Sequence, residues 1–148
     1  MSTPALGGKV LDASALVALV RGHLSVLTWI DLARTTGIPL YLPSLAIGEA
    51  RALRVDAGPD LADLLGHPWV VLGELDTATA AAVEQLLEQA TNVQPDSSTA
   101  SEVVEMVEVV DVLAGHVVHI ARTRDWAVLT TDPERLRRLD PAVEVQLL

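Results

Sequence analysis

Lys9-Val10-Leu11-Asp12-Ala13-Ser14-Ala15-Leu16 is a short apolar run that gives way to a helical one at a single acid. Lys9 to Asp12 follows Gly7-Gly8 and is too short for a helix, so it reads as a buried strand with Asp12 at its carboxyl end. Ala13 to Val20 then reads as a helix that stops near Gly22. Beyond Gly22, Leu24, Leu27 and Ile30 recur at helical spacing, which predicts a second helix over 24–35 ending at Gly37. Pro39 to Leu42 is a second strand, closed by Pro43, and Ser44 is the expected N-cap of a helix over 45–54. Gly58-Pro59 breaks the chain before a short helix over 60–65. Trp69 to Leu72 is a third strand. Asp76 or Thr77 is expected to cap an Ala-, Leu-, Glu- and Gln-rich helix over 78–90. Residues 92–101 are polar and read as a loop. Residues 102–110 carry both valines and regularly spaced glutamates, and a helical reading is preferred because 111–124 continues in register. Ala127 to Thr130 is the fourth strand, Asp132-Pro133 opens a last helix to Leu139 with Asp132 as N-cap, and 143–148 is a terminal strand.

Strands alternating with helices predict an α/β fold: one domain over 1–148, with a mainly parallel sheet of four to five strands, helices on both faces and right-handed crossovers. In such sheets ligands bind outside the carboxyl ends of the strands.

The chain has 148 residues and is 50% hydrophobic, without Phe, so its core must come from Leu, Val, Ala and Ile. There is no Cys, which excludes disulfides, thiolate metal sites and cysteine nucleophiles. Residues 1–8 carry neither a basic segment nor a long apolar one, and no apolar run reaches the roughly 20 residues that span a bilayer. A cytoplasmic protein without a membrane partner is the expectation. The formal net charge is −10, and Lys9 is the only lysine. That balance opposes binding to phosphate backbones unless a cation or a local arginine patch overcomes it.

Two acids, Asp12 and Asp132, fall at strand carboxyl ends. Glu49 and Asp111 lie on predicted helices able to present them at the same rim. Apolar sequence surrounds Asp12 and Glu49, and charged groups in such settings need partners. Carboxylates brought together repel unless a proton or cation intervenes. A hard divalent ion with oxygen ligands is the natural one, and it would make a nucleophile of its bound water and offset charge on a phosphodiester. Each acid also has a purely structural use. Asp12, helped by Ser14, can cap a helix, as can Asp132, while Glu49 and Asp111 can be solvated helix positions.

Val10-Leu11-Asp12-Ala13-Ser14-Ala15-Leu16, Glu49 after Pro43-Ser44-Leu45, and Leu129-Thr130-Thr131-Asp132 together resemble the PIN-domain family, and within it the VapC-type toxin ribonucleases. The resemblance covers nearly the whole chain in element order. It implies a PIN-like fold and a Mg²⁺- or Mn²⁺-dependent endoribonuclease, the toxin of a type II toxin–antitoxin pair. It also implies a homodimer and a small antitoxin whose basic tail enters the site. Asp12, Glu49, Asp111 and Asp132 become the catalytic and metal-binding candidates. Ser14, Thr130, Arg51, Arg54 and His116 become candidate substrate contacts. The core or the surface is the alternative place for His116, as for His119 and His23. Arg135, Arg137 and Arg138 read as surface charges. The pattern departs at the third acid, which the family's spacing puts at Ala114. Asp111 stands one helical turn earlier, close enough to share a face.

A phosphorylation receiver domain would need a second acid beside Asp12 and a late lysine. A haloacid-dehalogenase-type phosphatase would need an acid where Ser14 stands. No glycine-rich phosphate loop or nucleophile elbow is present. The remaining rival is a catalytically weak or inactive PIN-like module that works by binding protein.

Overall fold

The computed structural model describes residues 7–92 and 111–148. Five strands form one sheet: β1 (Lys9–Leu11), β2 (Leu40–Pro43), β3 (Val70–Gly73), β4 (Ala127–Thr130) and β5 (Val145–Leu147). Their order is β3-β2-β1-β4-β5 and every pairing is parallel. Parallel neighbours need crossovers, and seven helices among the described residues supply them. These are α1 (Ala13–Val20), α2 (Leu24–Thr36), α3 (Ser44–Leu53), α4 (Gly58–Leu65), α5 (Thr77–Asn92), α6 (Val112–Arg124) and α7 (Pro133–Arg137). The expected α/β sheet flanked by helices is therefore what the sequence builds.

The strand order positions the site. From β1 the chain winds outward through β2 to β3, then returns past its start to lay β4 on the other side of β1. The two directions of winding part between β1 and β4, and there the loops at the strands' carboxyl ends diverge and leave a crevice. Asp12 follows β1 and Thr131-Asp132 follows β4, so the first and last motifs face each other across that crevice.

Leu11, Leu16, Leu40, Leu42, Leu129 and Val128 lie in the fully buried centre, where each apolar side chain stabilises by about 1.5–3 kcal/mol relative to exposure. β4 is buried at all four positions, as suits a strand covered on both faces. α6 packs against α5 and against β1, β2 and β4, and seven consecutive or near-consecutive residues from Ala114 to Ala121 are buried in it.

Several boundaries differ from expectation. Ser44 is the first residue of α3, not its cap; Pro43 holds the N-cap position and no side chain caps the helix. Gly58-Pro59 opens α4 instead of breaking the chain, because Pro fits the first helical turn, where its missing N–H is not needed. Asp76 caps α5 through its Oδ1, which accepts from Thr79 N at 2.7 Å. The last helix ends at Arg137, and Asp132 occupies its N-cap position without a side-chain capping bond. The loop and helix expected over 93–110 lie outside the described residues. Among the described residues no single helix is long and apolar enough to cross a membrane.

Candidate active site

Asp12 ends β1 and caps α1. Its backbone is extended (φ −83°, ψ 179°), which turns the carboxylate back over the first helical turn. Oδ1 accepts from Ala15 N at 2.9 Å and from Ser14 Oγ at 2.6 Å. Oδ2 accepts from Thr130 Oγ1 at 2.5 Å, across from β4. Each hydroxyl has one proton, so with both protons on Asp12 the 3.1 Å contact between Ser14 Oγ and Thr130 Oγ1 is not a third bond. The hydroxyl oxygens in turn accept from backbone: Thr131 N reaches Ser14 Oγ and Asp132 N reaches Thr130 Oγ1, both at 2.9 Å. This network orients an acceptor-only carboxylate. Asp12 is only 6% exposed, and burial raises its pKa above the ordinary aspartate value. The bonds from Ser14, Thr130 and Ala15 N, and the charge of Arg135, offset that rise in part.

The other acids meet on one arginine. Arg135, on α7, donates from Nη1 to Glu49 Oε2 and from Nη2 to Glu49 Oε1, both at 2.6 Å. It also donates from Nε to Asp111 Oδ2 at 2.6 Å and from Nη2 to Asp111 Oδ1 at 2.8 Å. Both pairings are fork to fork, the geometry that suits a planar guanidinium. Glu49 comes from α3. Asp111 is the N-cap of α6, its Oδ1 accepting from Ala114 N at 3.1 Å. It therefore precedes the helix instead of lying within it. Burial is the largest influence on Asp111 and pushes its pKa up. The bonds from Arg135 and Ala114 N, with the charges of Arg135 and Arg138, together outweigh burial and hold it below the usual carboxylate range. The same bonds, to Asp111 first and Glu49 second, raise the pKa of Arg135, so the guanidinium stays charged.

A cavity of about 10 Å³, room for about one water, lies among Asp12, Glu49, Ala46, Ala114, Val117 and Arg135. Ala114 thus lines the inner site, where the family's spacing puts an acid, and Asp111 approaches from one turn earlier. On the outer side of Arg135 an open groove of about 380 Å³ is lined by Ser14, Val17, Glu49, Leu53, Thr131 and Asp132, among others. Asp132 is exposed at this rim.

The structure thus brings Asp12, Glu49 and Asp111 to one end of the sheet, with Ser14 and Thr130 on Asp12 and Asp132 at the edge. It does not bring the other candidates. Arg54 is half-buried and paired with Asp56 through bonds of 3.0 and 2.9 Å. Arg51 follows Glu49 by two positions, which sends it to another side of the helix, and it lines neither the cavity nor the groove. His116 is fully buried and has no hydrogen-bond partner among the described residues, so it is a core histidine and not a substrate contact. Arg135 corrects the surface reading in the opposite direction. It follows Asp132 by three positions, one turn into the helix which that acid opens, and so faces the same rim.

Carboxylate oxygens are the right donors for a hard divalent ion. In donor chemistry Asp12, Glu49 and Asp111 fit Mg²⁺ or Mn²⁺. In their present arrangement, no group of three or more Asp, Glu or His among the described residues is gathered to hold one. The positive charge at the centre is the guanidinium of Arg135.

No family model and no curated protein matches the sequence. Solved structures do match in fold. A chain in the structure of FitAB bound to the IR36 DNA fragment aligns with a TM-score of 0.59 and 16% identity over 93% of each chain. A chain of VapBC2 from Rickettsia felis, bound to a DNA fragment from their promoter, aligns with a TM-score of 0.62 and 10% identity over 94% of this chain and 97% of that one. One in FitAcB from Neisseria gonorrhoeae gives 0.58 and 18% identity over 92% and 94%. The fold is PIN-like, as the motifs after β1 and β4 imply.

Proposed function

We propose that the chain is a metal-dependent endoribonuclease and the toxin of a type II toxin–antitoxin pair. The observation that carries this reading is the placement of Asp12, Glu49 and Asp111, from three separate elements, around one cationic head at the switch point of a parallel sheet. Asp12, Glu49 and Asp111 would hold Mg²⁺ or Mn²⁺, with Asp132 as the rim candidate. The bound ion would supply a water of lowered pKa and offset charge on the phosphodiester. Ser14 and Thr130 present Asp12 as a fixed, doubly accepting carboxylate, with no reorganisation needed when substrate arrives. An antitoxin segment carrying Arg would complement the acidic rim. The FitAB and VapBC2 neighbours were solved on DNA fragments, which supports a partnered role for this chain too. RNA as substrate, a homodimer and a cytoplasmic location complete the proposal.

The second reading is a PIN-like protein-binding module. It is favoured by Ala114 at the inner position and by Arg135 on two of the acids. RNA cleavage in Mn²⁺ separates the two. The expected result is metal-dependent cleavage by the wild type and a loss of at least about a hundredfold in Asp12→Asn, with its circular dichroism unchanged. Equal cleavage by both proteins sinks the nuclease reading, and no cleavage by the wild type favours the module.

A further inference from the structure

Arg135 takes no part in the reaction proposed above, yet its side chain is committed to the site. All three guanidinium nitrogens donate, in four bonds of 2.6 to 2.8 Å, and every carboxylate oxygen of Glu49 and Asp111 accepts one of them. The side chain is 26% exposed, against 15% for Glu49 and 30% for Asp111, so water screens these pairs only in part. Asp12, buried on the other side of the small cavity, also feels this charge.

A guanidinium and a divalent ion make incompatible demands on the same oxygens. Mg²⁺ draws its oxygen ligands to about 2.0–2.1 Å in an octahedron. The forked pairing holds them in two planar arrays at ordinary hydrogen-bond distance. Two cations a few ångströms apart also repel. Room for the arginine to leave is present: its side chain lines the open groove of about 380 Å³ on the solvent side, beside Ser14, Leu53 and Asp132.

We propose that Arg135 is a built-in counter-ion that closes the metal site, so that a divalent cation enters only as the guanidinium leaves Glu49 and Asp111. The chain then rests in a self-neutralised state and metal loading is a competition within one molecule. This rests on the metal-binding reading given above, and the outcomes below separate the two.

The test is calorimetric titration of the full chain with MnCl₂ alone, comparing wild type with Arg135→Gln, which keeps most of the side chain and removes the charge. The expected result is at least a tenfold tighter Mn²⁺ Kd for Arg135→Gln. Its Tm should be lower than wild type without metal and should recover as Mn²⁺ is added. Equal Kd values for the two proteins overturn the competition and leave the metal site standing. No Mn²⁺ binding by either protein at millimolar concentration overturns both. If Arg135→Gln does not fold, the wild type alone decides. The Arg135 Nε–H resonance, assigned by its loss in Arg135→Lys, should move to a solvent-exchanging position with the same midpoint as Mg²⁺ binding. A resonance that stays protected at saturating Mg²⁺ overturns the proposal.

Discussion

A buried imidazole with nothing to bond is a cost carried by a single residue. His116 lies at 0% exposure in α6, and both ring nitrogens lack partners among the described residues. Leaving a buried polar group unpaired costs on the order of 1–3 kcal/mol, so His116→Leu should raise stability by about 1 kcal/mol at pH 7 in chemical denaturation. A loss of stability would sink this account. Burial, and then the charge of His119, lower the pKa of His116, and burial likewise lowers that of His119. The folded state therefore stays neutral while the unfolded chain takes up protons. Stability should be full above about pH 6.5 and fall as the pH drops from there towards the lowered folded values. His116→Leu should flatten that fall. Asp12, whose pKa is raised, acts in the opposite sense over the acidic range, so the difference between the two proteins is the quantity to measure. Single residues were also where the sequence was least legible. His116 sat in a helical pattern that does not say whether a histidine is sealed in. Arg135 was one of three arginines after Asp132. Its partners Glu49 and Asp111 are 86 and 24 residues away, a distance over which no local periodicity carries information. Asp12 was legible because the change from strand to helix pins it from both sides.

Elements were easier to read, since their causes are local. α1 and β4 fall where the pattern put them, Ala13–Val20 and Ala127–Thr130, because an apolar strand followed at once by a helix or turn leaves little choice of boundary. The errors were at helix ends, where a shift of a residue or two costs little: Ser44 entered α3, Gly58-Pro59 opened α4, and the last helix stopped at Arg137 instead of Leu139. What no single element could show is the corner at the amino end of the sheet. A Cβ on Gly8 would lie 2.6 Å from Pro39 O and 2.6 Å from Trp126 Cζ3. Neither neighbour is free to move. Pro39 O accepts the Lys9 N–H at 3.0 Å, which starts the β1–β2 ladder. The Trp126 ring packs edge-on to Tyr41, with the Arg124 guanidinium over both rings. Gly8→Ala should therefore destabilise by about 1–3 kcal/mol, the usual cost of overpacking, as measured by urea unfolding. A change within about 0.5 kcal/mol would show that the corner yields.

The whole molecule sets the terms on which a polyanion arrives. With a net charge of −10, and with Arg54, Arg122 and Arg135 all tied to carboxylates, the chain offers RNA few free cations. A nucleic-acid enzyme that binds through lysines and arginines releases counter-ions from the phosphates and loses affinity steeply with salt, about 10³–10⁵-fold between roughly 50 and 200 mM for six to ten phosphate contacts. Here the long-range field is repulsive, and added monovalent salt screens that repulsion, the Debye length shrinking to about 8 Å near physiological ionic strength. If the chain is the nuclease proposed, kcat/KM for RNA at saturating Mn²⁺ should stay level or rise over that salt range. A fall of tenfold or more would mean that RNA follows a basic path, for which Arg21, in the lining of the open groove with Ser14 and Asp132, is the candidate. A level or rising profile would instead leave attraction to a locally held cation as the force that brings substrate in.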